Sequence, residues 1–296
     1  MNDCEVPEVW REALGALAEG PRQALVVGAT DAGKSTFCRW LAEVWGVETW
    51  LIDADVGQSQ LGPPATIGCG KAGGGRMTTE AAFFVGDVSP VTSAAAGLGA
   101  FARAVRAVRE AGAARVVIDT TGWVSGADAV ALKLAQGNIL GSAHVMLIER
   151  ASELRAFRRA WRGLPDFPLH VLPPAAAARA RSPGERRAFR ETAFRAALAG
   201  AVECELDLRE VAVSGVGELE TPLPALPPGQ LLGLNDARGR LICLGVLLHL
   251  EPQAGRLTCL CRPAGADAAE VRVGRIFLQP DGTHSSRISL TQDTDS

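Results

Sequence analysis

The chain has 296 residues, of which 47% are hydrophobic and 21% charged, a balance that buries a core and excludes a disordered chain. Its formal net charge of −3 excludes a protein coated throughout in basic residues to hold nucleic acid. Seven cysteines without a CxxC spacing fit neither a disulfide framework nor a structural zinc site. They read as reduced thiols. With no charged start followed by an apolar stretch, and no apolar run of about 18 residues, the expectation is a cytoplasmic protein with no membrane partner.

Along the chain, Val9, Leu14 and Leu17 stand near helical spacing and stop at Gly20-Pro21, predicting a short helix within residues 1–21. Apolar runs then follow at Ala24 to Val27, Val47 to Ile52, Ala82 to Val85, Arg115 to Ile118, Val145 to Ile148 and Leu169 to Leu172. They alternate with helical stretches at Ser35 to Trp45, Thr92 to Ala111, Ala127 to Gln136 and Glu153 to Trp161. Apolar strands alternating with helices predict an α/β fold over residues 22–204, a P-loop domain whose parallel sheet is flanked by helices. Residues 173–184 and 221–228, rich in Pro and Ala, read as loop or linker. From residue 205 to 296 the pattern is short strands punctuated by Gly, Pro, Asn and Asp, among them Leu241 to Leu250 and Leu257 to Cys261. That pattern predicts a small C-terminal antiparallel β-rich domain, with a polar tail over the last dozen residues.

Three motifs carry chemistry. Gly28-Ala29-Thr30-Asp31-Ala32-Gly33-Lys34-Ser35-Thr36 satisfies GxxxxGK[ST] between an apolar strand and an amphipathic helix. In that setting backbone N–H groups curl around phosphate oxygens, Lys34 reaches the β and γ phosphates, and Ser35 ligates Mg²⁺. Gly28, Thr30, Asp31, Ala32, Gly33, Lys34, Ser35 and Thr36 are thus the candidate nucleotide-binding residues. Lys34 is also one of only three lysines, beside Lys71 and Lys133, against 27 arginines. The absence of an Asn-Lys-x-Asp guanine-reading element leans towards ATP or a loose choice among NTPs. The second motif is Asp53-Ala54-Asp55-Val56-Gly57-Gln58, at the carboxyl end of the second strand, where open α/β sheets bind ligands. One aspartate there holds the metal, with Ser35, Asp53 and Asp55 as candidates, and the other accepts a proton from an attacking hydroxyl. Asp119, ending the strand Arg115 to Thr120, competes for the metal role.

Thr120-Thr121-Gly122-Trp123 follows that strand directly, and a tryptophan at the rim of a phosphate site offers a flat face for a base or sugar. Residues 151–200 hold ten arginines against four acids, a local balance of +6 in a chain of net −3. Within it, residues 179–199 read as an arginine-rich helical lid able to neutralise a migrating phosphoryl group.

Together these pieces resemble the polynucleotide 5′-hydroxyl kinase family, whose eukaryotic members act on RNA in mRNA 3′-end formation, tRNA splicing and ribosomal RNA processing. The matching pieces are Thr30-Asp31-x-Gly-Lys-Ser-Thr, Asp55-Val-Gly-Gln58, Pro64-x-Thr66-Ile-Gly, Phe83-Phe-Val-Gly86-Asp-Val-Ser89-Pro90, Thr120-x-Gly-Trp123 and Arg181-Ser182 with the arginine helix. The resemblance implies Mg²⁺ and ATP bound at Gly28 to Thr36, and transfer to the 5′-hydroxyl end of RNA or DNA. It implies Asp55 as general base, Arg181 and Arg186 as lid arginines, and Gln58, Thr120, Gly122 and Trp123 on the acceptor side. Where members commonly carry asparagine before the clasp threonine, this chain carries Asp119. The alternative from another class is an NTP-binding scaffold or maturation switch without a phosphoryl acceptor.

Overall fold

Strands that read as unbroken apolar runs are covered on both faces, as parallel strands between helices must be. A computed structural model describes residues 6–46, 48–73, 75–175, 178–215 and 226–284. The chain divides into two units, Met1–Arg190 with Gly239–Leu241, and Glu191–Arg238 with Ile242–Ser296.

The first unit runs α1 (Glu8–Ala16), β1 (Gln23–Gly28), α2 (Lys34–Val44), β2 (Thr49–Ala54), β3 (Thr66–Gly73), β4 (Arg76–Phe84), α3 (Ala94–Glu110), β5 (Arg115–Thr120), α4 (Ala127–Leu140), β6 (His144–Ile148), α5 (Arg155–Trp161), β7 (Leu169–Leu172) and into α6 (Pro183–Leu198). Its sheet has the order β4-β3-β2-β5-β1-β6-β7. The five strands from β2 to β7 are parallel. β3 and β4 run antiparallel beside them, so the sheet is mixed where the apolar run Ala82 to Val85 suggested one more parallel strand. That run is the end of β4, paired to the sheet through β3. Glycines hide β3 in the sequence, and they are there because backbone passes too close for a side chain: a Cβ on Gly68 would lie 1.8 Å from the Leu61 carbonyl oxygen, and one on Gly70 1.8 Å from that of Thr78.

Period-two alternation sends Leu25 and Val27 to one face of β1 and Ala24 and Val26 to the other. The first face packs on α3, α4 and α5 through Phe101, Val105, Ala129 and Phe157. The second packs on α1 and α2 through Trp10, Phe37 and Leu41. Register places Asp119 of β5 level with Asp53 of β2 on one side and Val26 of β1 on the other. The carboxyl ends of these three strands therefore form one floor.

The second unit is a six-stranded sheet in the order β8 (Val202–Asp207), β12 (Arg256–Cys261), β11 (Leu241–Glu251), β10 (Gln230–Asn235), β13 (Glu270–Phe277) and β9 (Ala212–Gly215). The pairs β8 with β12, β12 with β11 and β10 with β13 are antiparallel, while β9 runs parallel to β13. Its core gathers Cys243, Cys259 and Cys261, with Cys204 packed against them and directly opposite Cys259. Among the described residues no group of His, Cys, Asp or Glu is arranged to hold a metal, and no helix is long and apolar enough to cross a membrane. Of the stretches read as linker, residues 176–177 and 221–225 lie outside the described residues, as does the polar tail from 285.

Candidate active site

β1 ends at Gly28, and the chain turns through residues 29–33 into α2. Two glycines are dictated by the turn. A Cβ on Gly28 would sit 2.7 Å from the carbonyl oxygen of Ile148, and Gly33 holds the left-handed conformation at the helix cap, with φ 87°. Asp31 is also left-handed, at φ 58°. The result points the first N–H groups of α2, with their partial positive charge, at a cavity of about 280 Å³. Thr30, Asp31, Gly33, Lys34, Ser35 and Thr36 line it from the loop, and Asp55, Gln58 and Arg181 from other segments. Ala32 instead packs into the α2-side core. Lys34 is buried, its Nζ donating to the Ala29 carbonyl oxygen at 3.0 Å.

The aspartates differ in what they have left to offer. Asp53 is buried and its oxygens are occupied: Oδ1 accepts from the Asp55 N–H at 3.0 Å, and Oδ2 from the N–H groups of Gln60 and Leu61 at 2.5 and 3.3 Å. Asp119 is buried too and accepts from the Ser35 side chain, but its Oδ1 has no partner. Burial raises both carboxyls above their ordinary range, Asp53 further raised by the charge of Asp119, and Asp119 held back by Lys34 and Ser35. Asp55 accepts from the N–H groups of Gly57 and Gln58 at 3.1 and 3.2 Å, and it faces the cavity. Gln58 donates to the carbonyl oxygen of Arg186 at 3.3 Å, and its Oε1 is buried without a partner.

Gly122 lies against the loop so closely that a Cβ would be 2.4 Å from Thr30 Oγ1 and 2.6 Å from the Thr30 backbone nitrogen. Thr120 is turned the other way, buried, with its hydroxyl donating to the Val26 carbonyl oxygen at 2.7 Å. Trp123 is half-buried against the α3–α4 side of the core, and its N–H donates to Thr121 Oγ1 at 3.1 Å. Arg181 and Arg186 both reach the loop, where they share the Asp31 carboxylate. Burial works against the ionised form of Asp31, yet the hydrogen bonds and charges of these arginines prevail and hold its carboxyl below the ordinary value.

One charged residue escaped the sequence reading. Lys133 on α4 is fully buried, and its Nζ has no hydrogen-bond partner. One turn on, Gln136 is buried with its Oε1 unpartnered as well. The only signal in the sequence was the rarity of lysine.

The family of the mRNA cleavage and polyadenylation factor CLP1 P-loop matches residues 28–199. The chain is 29% identical over 248 residues to the polyribonucleotide 5′-hydroxyl-kinase Clp1 of Gallus gallus, covering 75% of this chain and 57% of that protein. It is 26% identical over 168 residues to a polyribonucleotide 5′-hydroxyl-kinase of Methanocaldococcus jannaschii, covering 51% of this chain and 44% of that one. The chain thus spans about half the length of the curated relatives it matches. A solved structure of a wild-type Clp1p–Pcf11p complex superposes with a TM-score of 0.67 over 91% of this chain and 79% of that one. At 11% sequence identity this is a likeness of fold.

Proposed function

This chain belongs to the CLP1 P-loop family, and from that premise we propose that it is a polynucleotide 5′-hydroxyl kinase, moving the γ-phosphate of ATP to the 5′-hydroxyl end of RNA or DNA. The observation that carries this reading is that Asp55 opens on the same cavity as Lys34 and Ser35. A proton acceptor and a phosphate cradle on one cavity are what attack by a hydroxyl on a γ-phosphate requires. Asp55 takes the proton of the incoming 5′-hydroxyl, and its two backbone hydrogen bonds fix the carboxylate for that task. Lys34, the N–H groups at the start of α2, and Arg181 and Arg186 balance the charge of the transferring group. Gln58, Gly122 and Trp123 form the acceptor side, with Thr120 holding that segment against β1.

The donor set suits Mg²⁺, which takes hard oxygen ligands and uses one or two carboxylates plus substrate phosphates. Ser35 and the unpartnered Oδ1 of Asp119 would hold it, with Asp53 bracing the neighbouring strand end. When bound, the ion neutralises charge on the β and γ phosphates. A cytoplasmic setting is supported by the free cysteines, which reducing compartments preserve.

The test is transfer of label from γ-labelled ATP to matched RNA and DNA 5′-hydroxyl oligonucleotides. The intact chain labels at least one of them, and Lys34→Ala and Asp55→Ala abolish the product. Failure of the intact chain to label any such oligonucleotide with any NTP overturns the reading.

A further inference from the structure

Lys133 has no task in the scheme above, and its surroundings ask for one. It lies on the face of α4 that is buried with Ala129, Leu132, Gln136 and Leu140. An ammonium group with no hydrogen-bond partner and no exposure is costly to the fold. The charged groups acting on it are Lys34, which repels it, and Asp55 and Asp119, which attract it. Neither carboxylate hydrogen-bonds it: Asp55 accepts from the Gly57 and Gln58 N–H groups and Asp119 from Ser35, while the Lys133 Nζ has no partner. Two of the three lysines in the chain are therefore buried within each other's field, and one of them makes no hydrogen bond to a counter-ion. The helices that carry them pack on opposite faces of the sheet, α2 with the Val26 side and α4 with the Val27 side. Two cations carried by helices on opposite faces of the sheet, acting on each other and both on Asp119, point to an anion between them.

We propose that Lys133 is a second phosphate-binding lysine, whose Nζ contacts the γ-phosphoryl oxygens of the bound nucleotide from the face opposite Lys34. The proposal rests on the nucleotide-binding half of the function above and is indifferent to the acceptor. A lysine serving only as an internal counter-ion of Asp119 would influence every nucleotide alike. One that grips the γ-phosphate distinguishes ATP from ADP.

Calorimetric titration of the full chain with ATP and with ADP, in the presence of Mg²⁺, separates these cases. Lys133→Met weakens ATP binding by about tenfold or more, the worth of a charge-assisted hydrogen bond, and leaves ADP binding within about twofold. Lys133→Arg retains most of the preference for ATP. Without nucleotide, Lys133→Met melts no lower than the parent chain, because an unpaired buried charge gives way to an apolar side chain of similar length. Equal losses for ATP and ADP, no loss for either, or a lowered melting temperature overturns the proposal while leaving the kinase reading in place. So does an effect confined to the KM for the oligonucleotide. If the parent chain binds neither nucleotide, both readings fall together.

Discussion

Arg186 Nη1 lies 3.1 Å from Oδ2 of Asp31, a residue 155 positions earlier in the chain. Arg181 joins the same carboxylate through Nε at 3.3 Å and its backbone N–H at 2.9 Å. The loop thus holds, with its own carboxylate, the arginines that the proposed transfer would use. These pairs are partly solvated, with 39% of the Arg181 side chain and 28% of the Arg186 side chain exposed, so solvent screening leaves them small in the stability balance. Their value lies in where they hold the guanidinium groups.

That balance gives the first prediction. Arg186→Ala costs about 1 kcal/mol of stability or less, while the rate of oligonucleotide labelling falls by about tenfold or more. Asp31→Asn leaves the arginines in the chain but speeds amide exchange over residues 181–186. Urea unfolding, turnover and hydrogen exchange read the three effects. A large stability loss with unchanged turnover would show the pairs to be fold elements and nothing more. The Asp31 carboxyl is held below its ordinary 3.8, so the contribution of the pairs is present above that value and is lost as the pH falls through the lowered one.

Gly122 supports a second prediction by contrast with Gly97. A Cβ on Gly122 would meet Thr30 at 2.4 Å, whereas one on Gly97, inside α3, meets nothing within 4 Å. Gly122→Ala must displace the phosphate loop, costing about 1–3 kcal/mol and weakening nucleotide binding. Gly97→Ala stabilises the chain by up to about 1 kcal/mol through helix propensity and leaves binding alone. Thermal unfolding and ATP titration of both variants decide the matter, and equal behaviour of the two would refute it.

The same glycines explain what the sequence revealed and what it concealed. Gly28 to Thr36 is legible because the turn's chemistry is local: strand, glycine turn and helix follow one another in the chain. The arginine helix is legible for the same reason. The hairpin of β3 and β4 is not, because Gly68 and Gly70 answer to Leu61 and Thr78, contacts that only the folded chain creates. Nor does spacing choose between Asp53 and Asp119 as the open carboxylate. That depends on the N–H groups of Gln60 and Leu61 folding back onto Asp53. Lys133 was hidden by its helix, where one charged side chain among apolar neighbours looks like a solvated position until α4 is docked on the sheet.

Trp123 is the third test. Its ring packs against the α3–α4 side of the core and stays partly exposed, and in the proposed reaction that exposed part meets the acceptor. Trp123→Phe keeps a stacking face and most of the activity. Trp123→Ala raises the KM for the oligonucleotide by the equivalent of about 1–3 kcal/mol of lost stacking, with the affinity for ATP unchanged. Steady-state kinetics with each substrate varied in turn makes the distinction. A matching fall in ATP affinity would mean that the ring only supports the loop.

The last prediction concerns pH and follows from the burial of Lys133. Burial first, and then the charge of Lys34, push its ammonium down to about 7 from an ordinary 10.5, against the pull of Asp55 and Asp119. Between those values the unfolded chain keeps a proton that the folded chain has released, so stability rises with pH across that window. Below about 7 both states are protonated and the cost of the buried charge is fully present. Lys133→Met lacks this rise, so its advantage over the parent chain is largest near neutrality or below and disappears towards pH 10.5. Urea midpoints of the two proteins, measured without nucleotide from pH 6 to 10, should converge as the pH increases. Parallel curves across the window would mean that the lysine keeps its proton in the folded chain. A phosphate bound beside Nζ stabilises the ammonium form, so saturating ATP moves the onset of the rise in the parent chain to higher pH, and saturating ADP does so much less.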